Sequence, residues 1–117
     1  MYGIRQDRLG QQLQREIAVI VQRELKDPRV GFVTITRVEL SKDLSHAKVG
    51  FSCLGSDEER AGVQEALDRA AGFMRGLIRK RFHLKIIPEL TFRYDDAAQH
   101  SIDFSAKLDE LNRRERE

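Results

Sequence analysis

Arginines and glycines share one side of the segment spanning residues 69–88, and this pairing has the clearest chemical meaning in the chain. The segment contains six lysines and arginines and no acidic residue. Glycine lets a partner approach the helix backbone closely, and guanidinium groups form paired hydrogen bonds with phosphate oxygens. The pattern therefore indicates contact with a nucleic-acid backbone. At 3.6 residues per turn, the predicted stripe contains Arg69, Gly72, Arg75, Gly76, Arg79 and His83.

Arg75 and Arg79 are expected to contribute most to that contact, because both lie on the stripe. Other cations flank the stripe or lie on the predicted first helix, from which they could add phosphate contacts. These further predicted nucleic-acid-binding residues are Lys80, Arg81, Lys85, Arg5 and Arg8.

The net charge of the chain conceals a strong asymmetry. The 117 residues carry a formal charge of +2, so the six positive charges of residues 69–88 leave −4 for the rest. A dipolar distribution of this kind orients a protein on a polyanion. It also leaves open a different function, a protein-interaction adaptor that docks through an acidic second helix. In that case Glu58, Glu59 and Glu65 would matter more than the arginines.

The residues that usually support catalysis or metal binding are sparse. Cys53 is the single cysteine and lies on the predicted apolar face of a strand, while the three histidines fall in different elements. We therefore predict no metal site, no cofactor and no catalytic residue. A small hydrolase, the third hypothesis, has only scattered acidic residues in its favour.

The composition is that of a globular protein, and the single cysteine fits a reducing cytosol, so we expect a cytoplasmic protein. The apolar fraction is 40% and the charged fraction 34%, which fits a soluble domain. Apolar runs are too short to span a bilayer, and the N-terminal residues lack the apolar stretch of a signal peptide. We expect no membrane contact and no small-molecule substrate.

Hydrophobic periodicity predicts an α+β fold with one three-stranded mixed sheet and helices packed on one face. Asp27-Pro28 should end the first helix, and Ser56 with Glu59 forms a capping box for the second. The small residues Ala70, Ala71 and Gly72 favour a kink, beyond which Phe73, Met74, Leu77 and Ile78 are predicted to face the core. The predicted elements are a helix at 4–25, strands at 32–40 and 47–53 forming an antiparallel hairpin, helices on either side of the kink up to about 81, and an edge strand at 86–94 parallel to the second.

Four separated motifs, in this order, resemble those of the bacterial ribosome-binding factor A family, and the element order resembles the type II KH domain. The resemblance covers residues 4 to 96, so we predict a KH-like domain at 1–96 and a C-terminal extension at 97–117, either a short helix or a partly disordered tail. The motifs are residues 24–29 (ELKDPR), 41–49 (SKDLSHAKV), 70–75 (AAGFMR) and 88–92 (PELTF).

The resemblance implies a non-enzymatic assembly factor. Members of the family bind the free 30S ribosomal subunit and assist late maturation of 16S rRNA, especially in the cold. They carry an Ala-x-Gly kink, here Ala70 to Gly72, in place of the G-x-x-G loop of ordinary KH domains. The absence of that loop favours recognition of RNA backbone and shape over reading of bases. The expected partners are the small subunit and its 16S rRNA, with the protein acting as a monomer.

Overall fold

The computed structural model describes residues 4–95, and their arrangement confirms the predicted α+β class. Two helices cover one face of a three-stranded sheet. The predicted C-terminal extension at 97–117 lies outside the described residues. The elements are helix α1 (Ile4–Arg23), a 3₁₀ turn (Pro28–Val30), strands β1 (Thr34–Leu40) and β2 (His46–Ser52), helix α2 (Asp57–Arg81) and strand β3 (Glu89–Tyr94).

The sheet has the predicted topology. Its strand order is β1-β2-β3, with β1 antiparallel and β3 parallel to β2. The long crossover through α2 allows this parallel pairing, since a short turn cannot join parallel strands. Pro88 is buried immediately before β3, and β3 is an edge strand, as expected of a segment whose proline lacks an amide proton.

Helix α1 packs along the outer edge of β1, where a β-bulge interrupts the ladder. Ile35 pairs with Phe51 but Arg37 pairs with Gly50, which leaves Thr36 as the extra residue. The side-chain amide of Gln14 donates hydrogen bonds to the carbonyls of Ile35 (3.4 Å) and Thr36 (3.1 Å). The backbones come so close at Gly10 that a Cβ there would lie 3.1 Å from the Val38 carbonyl oxygen. The edge of β1 is therefore covered.

The core lies between the helices and the sheet. Four large side chains have no exposed surface: Leu13 and Ile17 of α1, Phe51 of β2 and Leu67 of α2. The opposite face of the sheet is open to solvent and polar. Its exposed side chains include Lys48, Thr91 and Arg93.

Helix α2 begins as predicted but is not interrupted. The Ser56 hydroxyl accepts a hydrogen bond from the Glu59 amide at 3.2 Å, and the Glu59 carboxylate accepts one from the Ser56 amide. The prediction of two separate helices on either side of Ala70, Ala71 and Gly72 is wrong, because residues 57–81 form one uninterrupted helix of 25 residues. One glycine costs a helix only about 1 kcal/mol relative to alanine, which is less than the buried side chains on both sides contribute.

Two strand boundaries also differ from the prediction. Phe32 lies outside β1 and is 91% exposed, and Ile86 lies outside β3 and is 48% exposed. Both residues have high strand propensity, but neither has a pairing partner in the sheet. Propensity alone therefore extended the predicted strands too far.

Candidate nucleic-acid interface

The outward side of α2 is open at both glycines of the predicted stripe. A Cβ built on Gly72 or Gly76 would meet no atom within 4 Å, apart from chain neighbours and the helix backbone itself. Arg69 and Arg79 are exposed on the same side of the helix. A flat partner can therefore reach the helix backbone between two cationic side chains.

The end of α2 carries cations that have no acidic partner in residues 4–95. Arg79 and Lys80 are exposed in the last turn, and Lys85 is exposed in the segment that leads to β3. His83 is also exposed. The prediction that it lies on the helical stripe is wrong, because it follows the end of the helix. The helix ends at Arg81 because Phe82 adopts an extended conformation (φ −117°, ψ 140°), and its side chain packs against the core.

Arg75 is held in position by a backbone group. Its Nε and one terminal nitrogen donate hydrogen bonds to the Ile87 carbonyl at 3.2 and 2.9 Å. These bonds connect α2 to the segment before β3 and leave the remaining guanidinium N–H groups available. Arg75 therefore presents part of its donor set at a fixed place beside Gly72 and Gly76. We call the surface formed by Gly72, Arg75, Gly76, Arg79, Lys80, His83 and Lys85 the cationic face.

Arg81 turns away from the cationic face and toward α1, which differs from the prediction that it continues the row. It forms ion pairs with Glu16 and with Glu24, the latter at 3.1 Å, and these carboxylates raise the pKa of the guanidinium. Helical geometry explains the direction. Arg81 follows the buried Met74 by seven residues, close to two full turns, so both side chains leave the helix on the same side.

Arg69 is exposed but also paired within the protein. Its guanidinium lies 2.6 Å from the Glu65 carboxylate, one helical turn earlier. Exposed pairs of this kind contribute little to stability and are screened by salt. A phosphate could displace Glu65 at small cost, so Arg69 stays at the margin of the cationic face.

The predicted first-helix residues lie at the same end of the sheet as Lys85. Arg5 and Arg8 are both exposed. Between them, the Gln6 amide donates a hydrogen bond to the Ser41 carbonyl in the β1–β2 turn at 3.1 Å. The same turn contacts the start of β3, where the Glu89 amide donates to the Ser45 carbonyl. The start of α1 and the start of β3 therefore both contact this turn.

Phe73 was expected in the core, and this prediction is wrong. Its side chain is 52% exposed, while Met74 and Ile78 are fully buried and Leu77 is partly buried. Phe73 lies about 100° around the helix from Met74, which places it at the margin of the buried side. An aromatic ring therefore borders the cationic face, which hydrophobicity alone did not indicate.

Metal ligation and thiol chemistry can be examined within residues 4–95. Within that range no three His, Cys, Asp or Glu side chains gather as metal ligands would. Burial raises the pKa of the Cys53 thiol, which disfavours the nucleophilic thiolate. None of the described helices is long and apolar enough to span a membrane.

Comparison with known proteins points to one family. The family model described as ribosome-binding factor A matches residues 5–108. A Thioalkalivibrio sulfidiphilus protein of that name is 49% identical over 105 residues, which cover 90% of this chain and 81% of that protein. The crystal structure of ribosome-binding factor A from Thermus thermophilus superposes with a TM-score of 0.69 at 30% identity, covering 76% of this chain and 93% of that one.

A second structural match comes from a ribosomal complex. It is a homology model of the Thermus thermophilus factor, fitted into a cryo-EM map of its complex with the 30S particle. The TM-score is 0.63 at 32% identity, and the match covers 75% of this chain and 92% of that one.

Proposed function

Since this chain belongs to the ribosome-binding factor A family, we propose that it binds the free small ribosomal subunit and contacts 16S rRNA through the cationic face. The match to a factor seen on the 30S particle supports the partner. The exposed cations of the cationic face support a contact with RNA phosphates. In this proposal the protein acts as a cytoplasmic monomer without catalysis and assists late maturation of the rRNA.

The observation that carries the proposal is the combination of open glycines with unpaired cations. Gly72 and Gly76 leave the helix backbone uncovered, and Arg79 and Lys80 have no ion pair within the described part of the chain. Guanidinium and ammonium groups without internal partners are free to replace the counterions of phosphates, which is the main source of affinity for nucleic acids.

The geometry favours recognition of the RNA backbone over recognition of bases. Proteins that read single strands by stacking present several exposed aromatic rings along a basic groove. On the cationic face the described residues offer one bordering ring, that of Phe73. Phosphate contacts and RNA shape would therefore determine binding.

Assistance to maturation follows from binding if the factor prefers one rRNA arrangement. A ligand shifts a conformational equilibrium only by its difference in affinity for the two states. A rigid cationic face, with Arg75 held by the Ile87 carbonyl, fits one spacing of phosphates better than others. The factor would hold that arrangement until maturation proceeds.

Binding to purified 30S subunits as a function of salt tests the proposal. The double variant Arg79→Ala/Lys80→Ala removes two cations and should reduce the slope of log affinity against log salt concentration by roughly 1.5 to 2. Lys48→Ala/Arg93→Ala is the matched control, because it removes two exposed cations from the open face of the sheet. Co-sedimentation at several KCl concentrations gives the slopes.

The control also defines the contrary result. If Lys48→Ala/Arg93→Ala reduces the slope and Arg79→Ala/Lys80→Ala does not, the contact lies on the sheet and the proposed site is wrong. An unchanged slope for all variants would mean that phosphate contacts do not carry binding at all.

A further inference from the structure

A second surface, at the other end of α2, exposes large apolar side chains. Phe32 is 91% and Leu54 is 92% exposed. The pairing of β1 with β2 ends at Thr34 and Ser52, so Phe32 and Leu54 lie just beyond the strands, and both line the same groove. Two fully exposed large apolar residues side by side usually mark an interaction site.

The two side chains border a groove of about 400 Å³ that has an apolar floor. Val63 of α2 is buried in that floor, and Pro28 and Cys53 also line it. The volume lies within the range of natural binding pockets. A large apolar side chain from a partner would fit between Phe32 and Leu54.

The groove rim carries uncompensated negative charge. Glu58 lines it and has no ion pair within residues 4–95, whereas Glu59 is engaged in the capping box. Arg29 also lines the groove, but its guanidinium lies 2.7 Å from Asp27 and 3.7 Å from Glu65. The charge left for a partner is negative, which repels phosphate and attracts lysine or arginine.

We propose that this groove binds a basic segment of a partner protein, with an apolar side chain between Phe32 and Leu54 and a lysine or arginine beside Glu58. We call it the apolar groove. The proposal goes beyond the rRNA contact and depends on different residues. An apolar anchor in a groove with a charged rim is the usual composition of a protein interaction site.

The apolar groove and the cationic face can be occupied at the same time. They lie near opposite ends of α2, whose 25 residues span roughly 36 Å. One rigid helix would then hold an RNA at its C-terminal end and a basic protein near its N-terminal end. Such an arrangement suits a particle in which basic proteins and RNA lie side by side.

Fluorescence anisotropy with synthetic peptides tests the proposal on the full chain. The probe is a short labelled peptide with one phenylalanine among several lysines. Matched peptides carry serine in place of the phenylalanine, or glutamates in place of the lysines. We expect only the first peptide to bind, with Phe32→Ser/Leu54→Ser weakening it at least tenfold and Glu58→Gln about threefold.

Val19→Ser is the control variant, because Val19 is a partly exposed apolar residue on α1 (37%) that lies outside the groove. It should leave peptide affinity unchanged. Since Phe32 and Leu54 are almost fully exposed, their replacement should also leave the urea midpoint of unfolding unchanged. A loss of peptide binding would then reflect the groove rather than the fold.

Several outcomes would overturn the proposal. The glutamate peptide or the serine peptide binding as tightly as the probe would remove its chemical basis, as would equal effects of the groove and control variants. Self-association in sedimentation equilibrium that disappears in Phe32→Ser/Leu54→Ser would make a second copy the occupant. Loss of RNA-oligonucleotide binding in that variant would make RNA the occupant.

The 30S salt slope separates this test from that of the proposed function. Phe32→Ser/Leu54→Ser should keep the wild-type slope, and Arg79→Ala/Lys80→Ala should keep the wild-type affinity for the peptide. Either proposal can therefore be refuted without refuting the other.

Discussion

The two ends of helix α2 carry opposite charges and use them differently. At the N-terminal end most of the acids are bonded within the protein: Glu59 caps the helix, Asp57 pairs with Arg60, and Glu65 pairs with Arg69, while Glu58 has no ion pair within residues 4–95. At the C-terminal end, Arg79 and Lys80 have no acidic partner in the described residues. Both charge types suit the helix dipole at their respective ends.

This comparison separates charges that serve the fold from charges that remain for a partner. Caps and ion pairs at the acidic end fix where the helix begins and how it meets the 3₁₀ turn. At the other end Arg79 and Lys80 form no ion pair within the described residues, and the nearby glycines leave the backbone uncovered. Substitutions at the two ends should therefore have different effects.

The largest expected effect concerns stability and tests whether the two ends belong to one folded unit. Leu67→Ala in the first half of α2 and Ile78→Ala in the second each remove a side chain with no exposed surface. Each should lower the free energy of unfolding by about 3 kcal/mol, in a single transition. Urea denaturation followed by circular dichroism measures both values.

Lys80→Ala serves as the control, because replacing an exposed helical residue should change stability by less than about 0.5 kcal/mol. A biphasic transition for Ile78→Ala, or a loss much smaller than that of Leu67→Ala, would mean that the second half of the helix folds separately. The two halves of the helix would then be separate folding units.

A smaller effect, opposite in sign for stability and binding, is expected at Gly76. Alanine there meets open space and should raise the free energy of unfolding by about 0.5 to 1 kcal/mol. The added methyl group should keep phosphates further from the helix and weaken 30S binding about threefold, which corresponds to ~0.6 kcal/mol. Urea denaturation and co-sedimentation give the two values.

Gly62→Ala is the matched control in the acidic half of the same helix. Its Cβ would lie at an ordinary contact distance of 3.5 Å from the Arg29 side chain, so it should stabilise the helix similarly and leave RNA binding unchanged. If both alanine variants weaken 30S binding equally, the open glycines of the cationic face have no special role.

The smallest expected effect is on the pH dependence of stability, and it comes from the carboxylate of Asp27. Asp27 accepts hydrogen bonds from the Arg29 guanidinium and amide, which lower the pKa of its carboxyl from 3.8 to about 2. Because the folded pKa is depressed, the stability from this carboxylate is fully present above about pH 4 and is lost as the pH falls through 2.

Asp27→Asn should therefore flatten the dependence of the urea midpoint on pH between about 4 and 2. Asp43, whose pKa is also about 2, is unchanged in that variant and still contributes to the pH dependence of the midpoint. Arg79→Ala/Lys80→Ala should keep the wild-type profile, since neither side chain forms an ion pair with Asp27 or Asp43 within the described residues. A variant profile identical to wild type for Asp27→Asn would contradict this assignment.

Local sequence signals predicted the framework well. The capping box at Ser56, the end of α1 before Asp27-Pro28, and the placement of β3 at an edge all follow from interactions within a few residues, and the structure confirms them. The exposure of Gly72 also follows from helical periodicity, because it lies opposite the buried Met74.

Features that depend on tertiary contacts could not be predicted in the same way. Arg81 pairs with Glu16 across 65 residues of sequence, and only its seven-residue spacing from Met74 indicated its direction. The kink was predicted from the low helix propensity of glycine, but packing on both sides keeps α2 continuous. Phe32 has high strand propensity, yet the pairing of β1 with β2 ends at Thr34 and Ser52.

The covered edge of β1 has a consequence for how copies of this protein can associate. The outward carbonyls at the bulge already accept hydrogen bonds from Gln14, and α1 approaches Val38 closely at Gly10. A strand from another molecule therefore cannot extend the sheet on that side. Within residues 4–95, cross-molecular strand addition, whether in a swapped dimer or a fibril, would have to begin at β3.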